Sequence, residues 1–246
     1  DPLSVTTATP LPELHTLFTD HSYVGIPVVN STGQLVGVLR RSDVEEAMAE
    51  AYADDFLKTQ GIVTEELRTM PTWLRARRRL SWLSINIVLN IIAASVIAMY
   101  QDTLQQVIAL AVFLPIISDM SGCSGNQAVA VSMRELSLGL VSSGEVLWVW
   151  LKEISVGVIN GLALGLLIAL AALLWQGNPW LGVVVGFAMM ANTVIAVSLG
   201  GTLPLIMKLL KLDPALASGP ILTTITDICG FALVLGGATM VLERLI

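Results

Sequence analysis

The sequence predicts a mainly α membrane protein, in which five transmembrane helices follow a small α/β unit. Of the 246 residues, 54% are hydrophobic and only 13% are charged, well outside the soluble globular norm. Charge is also uneven, since the first 72 residues carry eleven Asp or Glu against four Lys or Arg, a net of −7. Beyond Leu80, charged residues are isolated or lie at segment ends, apart from Asp119 and Asp227. We therefore expect a soluble, acidic N-terminal region, the front, within the first 72 residues. From about Leu80 onward we expect a membrane-embedded region, the membrane body.

The front shows the pattern of a small α/β unit. Residues 10–18 predict a helix, residues 26–30 and 35–39 predict two strands around a turn, and a second helix starts at Ser42. A unit of roughly sixty residues is marginal alone, so we expect it to need a partner surface. No basic start followed by an apolar run opens the sequence, and we expect the front to remain in the cytoplasm.

Acidic residues recur along the second helix of the front. Glu46, Glu50 and Asp54 are spaced by four residues and are joined by Glu45 and Asp55. Like charges at this spacing repel by roughly 0.2–0.5 kcal/mol per pair. The face is therefore either solvated or held by cations, and the charge run alone indicates a solvated face.

Five runs of predominantly apolar residues predict five spans. They cover residues 80–100, 104–133, 146–175, 180–210 and 216–242. Eight of the nine Lys and Arg residues near span ends fall on the side of the N-terminus. These eight are Arg75, Arg77, Arg78, Arg79, Arg134, Lys152, Lys208 and Lys211, and the ninth is Arg244. The bias predicts a multi-pass protein of the plasma (inner) membrane, with its N-terminus in the cytoplasm and its C-terminus outside.

Small and polar residues within the third and fourth spans indicate helix packing. Gly157, Gly161 and Gly165 form a repeated small-residue ridge that permits close helix approach. Asn160 and Asn192 indicate interhelical hydrogen bonds rather than ligand contacts.

The second span is interrupted by a polar, glycine-rich run at Ser118–Gln127. Polar groups at membrane depth must be buried in protein or line a wet cavity. The run therefore predicts a bent or broken helix that lines a pore. The alternative is a loop that joins two short interfacial helices, although each flank alone is too short to cross.

The fifth span places an acidic residue near the middle of an apolar segment. An ionised carboxylate costs roughly 3 kcal/mol there, so Asp227 is expected to face protein or water and to have a partner. Helical spacing puts Gly219, Thr223, Thr226 and Gly230 on the same face. Oxygen ligands and retained water suit Mg²⁺. A protonated Asp227 that is hydrogen-bonded between helices is the structural alternative.

Other chemistries find little support in the sequence. Both histidines, His15 and His21, lie in the front, and Cys123 and Cys229 lie apart in apolar segments. Zinc, iron or copper chemistry is therefore not expected. The sequence offers no convincing catalytic set of nucleophile, base and orienting group, so an enzyme is not expected. No nucleic-acid partner is expected either. Transport is the favoured function.

Four sequence motifs resemble known families. Gly37–Asp43 and the elements around it resemble a cystathionine-β-synthase (CBS) repeat, in which Asp43 would take the ribose-binding place of a nucleotide such as ATP. Pro71–Leu80, Phe113–Gln127 and Leu212–Asp227 resemble the MgtE family of magnesium channels. This resemblance covers almost the whole chain.

The MgtE resemblance implies a homodimer in membrane lipid, with five spans per subunit and a pore lined by the second and fifth spans. Asp227 of both subunits would hold a hydrated Mg²⁺, with Thr223 and Asn126 nearby and with Gly219, Thr226 and Gly230 along the pore. The implied division is residues 1–53 as a CBS-type repeat, 54–79 as a plug or connecting helix and 80–246 as the pore domain.

The resemblance further implies that intracellular Mg²⁺ closes the channel. The ion would bridge acidic residues that otherwise repel one another, which are Glu46, Glu50, Asp54, Asp55 and Asp213. Magnesium would thus be both the transported and the regulatory ion.

The sequence departs from the family pattern at two positions of the pore motif. Asp119 and Cys123 replace Gly and Asn, which adds a carboxylate near the pore and removes an amide. One CBS repeat is present where the family has a pair behind an N-terminal helical domain. We expect either a fragment or simpler gating. A proton- or sodium-coupled transporter of divalent cations and a CBS-linked membrane scaffold remain alternatives.

Overall fold

The computed structural model describes residues 3–62 and 66–246. In the front, β1 (Val5–Thr6) is followed by α1 (Leu11–Asp20), β2 (Gly25–Val29), β3 (Leu35–Arg40) and α2 (Arg41–Thr59). β1 pairs in parallel with β2, and β2 pairs antiparallel with β3. The predicted helices and the two predicted strands are confirmed, whereas the two-residue β1 was not foreseen.

The front has its own small core and a capped turn. Phe18, Ile26, Val44 and Met48 pack together between the helices and the sheet. At the β2–β3 turn, the Asn30 side-chain oxygen accepts hydrogen bonds from the backbone N–H groups of residues 32 and 34, at 3.0 and 2.9 Å. This side chain thus takes over backbone donors that the turn leaves free.

α2 continues through the expected boundary at residues 53 and 54. Neither Gly nor Pro interrupts its sequence before Gly61, so nothing in the local sequence ends the helix there. Residues 54–59 therefore form the last turns of α2. Part of the expected plug, residues 63–65, lies outside the described residues.

Long helices make up the rest of the chain. They are α3 (Thr72–Met99), α5 (Leu110–Ser137), α6 (Val146–Gln176), α7 (Pro179–Leu209) and α8 (Pro214–Met240), with the short α4 (Gln101–Gln106) and α9 (Leu242–Leu245). Among the described residues, four helices are long and apolar enough to cross a membrane: α3, α6, α7 and residues 219–240 of α8. The chain is therefore a multi-pass membrane protein, and four of the five expected spans have the required length and composition.

For the second span we expected a bent or broken helix, and of these two the break is wrong. α5 is one uninterrupted helix from Leu110 to Ser137, even though it contains Pro115. The helix satisfies its own backbone groups, so its polar side chains do not require a break. Gly125 serves packing instead, because a Cβ added there would lie 2.9 Å from the Ala196 carbonyl oxygen of α7.

The glycine ridge on α6 packs against α7, as predicted. A Cβ at Gly161 would lie 2.7 Å from the Met190 carbonyl oxygen, and one at Gly165 would lie 2.6 Å from the Gly186 carbonyl oxygen. Gly177, with φ of 68°, ends α6, and the Asn178 side chain caps α7 by accepting from the N–H of Trp180 at 2.9 Å. The short connection makes α6 and α7 antiparallel neighbours.

The main hydrophobic core lies between α5, α6, α7 and α8. Its fully buried side chains include Leu110 and Phe113 of α5, Val185 of α7 and Leu235 of α8. α7 lies at the centre, since it contacts the other three helices. The relative positions of α5 and α8 are thereby fixed around α7, which sets the geometry of the site below.

Candidate ion site

Asp227 lies at the contact between α8 and α5. The hydroxyl of Ser118 on α5 donates a hydrogen bond to the Asp227 carboxylate. Both residues are partly buried. The carboxylate thus has a partner within its own chain, which reduces the cost of placing it among apolar segments.

The remaining polar residues of α8 bond largely to their own helix. The Thr223 hydroxyl donates to the carbonyl oxygens of Gly219 and Pro220, each at 3.1 Å. The Thr226 hydroxyl donates to the Thr223 carbonyl oxygen at 2.9 Å, and Thr226 is fully buried. A hydroxyl that donates in this way keeps lone pairs for another donor or a cation.

A cavity of about 780 Å³ lies between α2, α3, α5 and α8. Four residues that the sequence singled out line it, namely Asp55, Asn126, Gly219 and Thr223. They come from three helices that are distant in sequence. The structure therefore brings the second half of α5, one face of α8 and the end of α2 to a single cavity.

One face of α5 is exposed and polar. Asp119, Cys123, Asn126 and Gln127 all lie on it, at spacings that align along a helix. Such a face is poorly suited to lipid hydrocarbon. It therefore needs water or another protein surface against it.

α2 is held against α8 by charge. The Lys58 ammonium lies 2.7 Å from the Asp54 carboxylate and 3.8 Å from the Asp213 carboxylate, which belongs to the residue that caps α8. The hydrogen bond that Lys58 donates to Asp54, together with the negative charge of the nearby carboxylates, raises the pKa of Lys58. Lys58 therefore remains a cation and links two of the residues that the sequence assigned to cation binding.

Asp55 lies on the cavity side of α2. Its carboxylate accepts a hydrogen bond from the Ser137 hydroxyl of α5 at 3.2 Å. Burial raises the pKa of the Asp55 carboxyl, and the Ser137 hydrogen bond and Lys58 act in the opposite direction. The contact thus joins α2 to α5 through a carboxyl that is harder to ionise than usual.

The structure does not bring the other expected residues to the cavity. Gly230 packs against Asn192 of α7, Thr226 is buried, and Glu46 and Glu50 are exposed on α2. Within residues 3–62 and 66–246, no group of three or more His, Cys, Asp or Glu side chains could hold a metal ion.

Asp43 is engaged locally at the start of α2. Its carboxylate lies 2.9 Å from the Arg40 guanidinium, and the hydrogen bond from Arg40 lowers the pKa of Asp43. A separate cavity of about 560 Å³ beside it is lined in part by Tyr23, Arg41 and Ser42. The expected ribose contact of Asp43 is not tested by this arrangement.

Two residues of the site were not assigned a role from the sequence. Ser118 belongs to the polar run of α5, but its contact with Asp227 depends on how α5 and α8 are placed side by side. Lys58 follows Asp54 by four residues, a spacing that favours an ion pair on a helix. That spacing is the one feature of the sequence that could have indicated the Lys58–Asp54 ion pair.

Two family models match this chain. A model described as "MgtE: Divalent cation transporter" matches residues 114–237, and a CBS domain model matches residues 1–50. The first match contains α6 and α7, most of α5 and α8, and both Ser118 and Asp227.

Curated relatives carry the name magnesium transporter MgtE. The protein of Bacillus subtilis is 32% identical over 233 residues, which are 95% of this chain and 52% of the relative. The protein of Enterococcus faecalis is 30% identical over 221 residues, 90% of this chain and 49% of the relative. The protein of Thermus thermophilus is 30% identical over 244 residues, which are 97% of this chain and 53% of the relative. The chain spans about half the length of these relatives.

Proposed function

Since the chain belongs to the MgtE family of divalent cation transporters, we propose that it carries Mg²⁺ across the membrane through a path that passes Asp227. The observation that carries this proposal is the Asp227 carboxylate, which lies between α5 and α8 in the membrane body. A single carboxylate with nearby hydroxyl and carbonyl oxygens suits Mg²⁺, because this ion prefers oxygen ligands and retains several of its waters.

α5 is the fifth span of this transporter. Its 28 residues extend about 42 Å at the rise of an α-helix, more than the roughly 30 Å of a hydrocarbon core. Its contacts with α7 and α8 place it inside the bundle. Its polar composition is explained if one face borders water instead of lipid.

The transporter is a homodimer whose pore runs between two copies of α5 and α8. Asp119, Asn126 and Gln127 are exposed on one chain, and a second copy would remove them from lipid. The pairing would place two Asp227 carboxylates on opposite sides of one path. Two carboxylates balance the charge of a divalent cation, which one cannot do.

The front faces the cytoplasm and the C-terminus lies outside. Arg75, Arg77, Arg78 and Arg79 lie at the start of α3, and Arg134 lies in the last turn of α5. With alternating spans these ends lie on one side, as do Lys152 near the start of α6 and Lys208 in the last turn of α7. A concentration of basic residues marks the cytoplasmic side.

Transport runs down the electrochemical gradient, as in a channel. A divalent cation gains roughly 4.6 kcal/mol per 100 mV of inside-negative potential. Uptake therefore needs no coupled ion, and the cavity between α2 and α8 offers a cytoplasmic exit for the ion.

Intracellular Mg²⁺ regulates this exit through α2. Within one chain, Lys58 already lies between Asp54 and Asp213, and these residues alone do not make a magnesium site. The exposed carboxylates Glu46 and Glu50 would hold the regulatory ion between the acidic faces of two chains, whereas Asp55 faces the cavity of its own chain. Bridging would hold α2 over the cavity, and loss of the ion would release it by repulsion.

Flux of Mg²⁺ into liposomes tests the proposal. We expect the wild-type chain to admit Mg²⁺, and Asp227→Ala and Asp227→Asn to lose most of the flux or its preference for Mg²⁺. Asp102→Asn is the matched control, because Asp102 is an exposed carboxylate on the short helix α4. Unchanged flux and selectivity in both Asp227 variants would refute the assignment of the path.

A further inference from the structure

The start of α3 carries four arginines whose side chains lie on different faces of the helix. They are Arg75, Arg77, Arg78 and Arg79. With 3.6 residues per turn, Arg77 lies about 160° around the helix from both Arg75 and Arg79. The structure gives these two faces different partners.

One face is held by protein. The Glu66 carboxylate, whose side chain is 2% exposed, lies 3.3 Å from Nε of Arg75 and 2.8 Å from Nε of Arg79. Arg78 is half-buried, and its guanidinium lies 3.9 Å from the sulfur of Met70. The segment that precedes α3 thus covers this side of the helix and supplies the counter-charge for two of the arginines.

The opposite face carries a cation without a carboxylate partner. Arg77 is exposed, and it forms no ion pair with any residue in the ranges 3–62 and 66–246. Trp73 precedes it by four residues, a spacing that places the two side chains next to each other, and Trp73 is 79% exposed. Tryptophan and basic residues at the end of a span are typical of the membrane–water interface.

The length of α3 sets the depth of this pair. No Asp, Glu, Lys or Arg occurs from Leu80 to Met99, and this stretch extends about 30 Å, the thickness of a hydrocarbon core. Arg77 precedes Leu80 by three residues, or about 4.5 Å of helix. It therefore lies within the polar headgroup layer, which is roughly 5–7 Å thick on each side of the core.

The same face continues into the membrane as an apolar strip, formed by Leu80, Ile87 and Ile91. These residues follow Arg77 at spacings that align along a helix, and they are 60%, 58% and 64% exposed. The packing of α3 against α8 leaves them uncovered. An exposed cation above an exposed apolar strip complements a molecule that joins an anionic group to a hydrocarbon chain.

We propose that Arg77 and Trp73 form a headgroup site for an anionic phospholipid, whose acyl chain lies along the apolar strip. The guanidinium donates hydrogen bonds to the phosphate oxygens, for which its planar fork is suited. A zwitterionic headgroup binds less tightly, because it brings an ammonium group that Arg77 repels. The lipid belongs to the cytoplasmic leaflet in the orientation proposed above, and the site is separate from the ion path.

Native mass spectrometry of the chain in detergent tests the site by titration with two lipids. Dioleoylphosphatidylglycerol carries a net negative charge, and dioleoylphosphatidylcholine carries none. Arg77→Gln removes the cation, and Arg77→Lys keeps the charge without the planar fork. Lys211→Gln is the matched control, because it removes one positive charge at an exposed residue between α7 and α8, on the same side of the membrane in the proposed orientation.

We expect the wild-type chain to bind the anionic lipid about fivefold more tightly than the zwitterionic one, the contribution of one basic residue near an anionic surface. Arg77→Gln should lose most of this preference, Arg77→Lys should keep part of it, and Lys211→Gln should keep all of it. Since both residues are exposed, the unfolding temperature without lipid should be unchanged in all three variants, which separates lost binding from lost folding.

Three results would overturn the proposal. Equal affinity of the wild-type chain for the two lipids would show that it has no anionic site. Equal losses in Arg77→Gln and Lys211→Gln would show attraction by the charge of the whole surface instead of a site. An Arg77→Gln variant that keeps its lipid preference but no longer dimerises would show that a second copy of the chain covers this face. The measurement involves no transport, so its result is independent of the flux experiment on Asp227.

Discussion

At the scale of single residues, the Asp227 carboxylate is the feature on which the proposed transport depends. Its hydrogen bond from Ser118 joins the two helices that border the proposed path. An ionised carboxylate in an apolar segment is costly without such partners. Ser118 therefore stabilises the charged form of the side chain that lies on the proposed ion path.

Replacement of Ser118 by alanine tests this contact. Ser118→Ala should raise the half-saturating Mg²⁺ concentration about tenfold, because it removes a hydrogen bond that orients a metal ligand. Ser124→Ala is the control on the same helix, since the Ser124 hydroxyl donates to its own helix at Met120, at 3.0 Å. Equal effects of the two substitutions on Mg²⁺ affinity would contradict a specific role for Ser118.

A pH dependence is expected at Asp55. Because burial raises the pKa of this carboxyl in the folded chain, its contribution to stability is fully present below the pKa of the unfolded chain and is lost as the pH rises through the folded pKa. Asp55→Asn should therefore raise the unfolding temperature at pH 7, and the gain should shrink as the pH falls toward 4. Thermal unfolding at several pH values measures this, and a gain that is constant with pH would refute the assignment.

At the scale of helices, three contacts organise the molecule: α6 with α7, α5 with α8, and α2 with the start of α8. The first depends on glycines, the second carries the ion site, and the third depends on charge. The sequence indicated the glycine ridge by its spacing, because small residues four apart share a helix face. The MgtE resemblance implied that α5 and α8 line one pore, but the residue pattern did not indicate the Ser118–Asp227 contact, which depends on how α7 places the two helices.

Loss of Lys58 should loosen the contact of α2 with α8. Lys58→Met removes the cation between Asp54 and Asp213, and a partly exposed pair of this kind contributes about 0.2–1 kcal/mol. We expect a higher Mg²⁺ flux at high internal Mg²⁺, and a smaller effect in high salt, which screens the wild-type pairs.

Lys208→Met is the control for this experiment, because Lys208 is exposed in the last turn of α7. A flux in Lys58→Met that remains as sensitive to internal Mg²⁺ as in wild type would show that the lysine does not hold α2 in place.

The glycine ridge should be intolerant of side chains. Gly161→Ala would place a Cβ 2.7 Å from the Met190 carbonyl oxygen, and overpacking of this kind costs about 1–3 kcal/mol. A lower unfolding temperature in detergent is expected. Ala163→Val, which also adds carbon atoms but at an exposed position of α6, should leave it nearly unchanged. A similar loss in both variants would argue against the close contact.

At the scale of the whole molecule, one chain provides half of the proposed pore. The polar face of α5 and the acidic residues Glu46 and Glu50 of α2 are exposed in one chain. In the proposed homodimer, the second chain covers both. The boundaries of α6, α7 and α8 could be predicted to within two residues because apolar runs mark them. The continuity of α5 could not be predicted. A polar, glycine-rich run indicates a break in a membrane helix unless the packing of that helix against α7 is known.

The dimer can be tested with the cysteines of the chain itself. Cys123 is exposed on the polar face of α5, whereas Cys229 is partly buried in α8. In membranes, a short thiol crosslinker should join two copies of the Cys229→Ala variant through Cys123. The doubly substituted Cys123→Ala, Cys229→Ala chain is the control. A Cys229→Ala variant that stays monomeric under conditions that support flux would count against a pore between copies of α5.

The central claim, Mg²⁺ conduction past Asp227, is tested most directly by the reversal potential of the wild-type chain in a planar bilayer. With Mg²⁺ as the permeant cation, we expect the reversal potential to move about 30 mV for each tenfold change in the Mg²⁺ gradient, as a doubly charged ion requires. Asp227→Ala should abolish this current or its selectivity. A reversal potential that does not change with the Mg²⁺ gradient, or an unchanged current in Asp227→Ala, would contradict the claim.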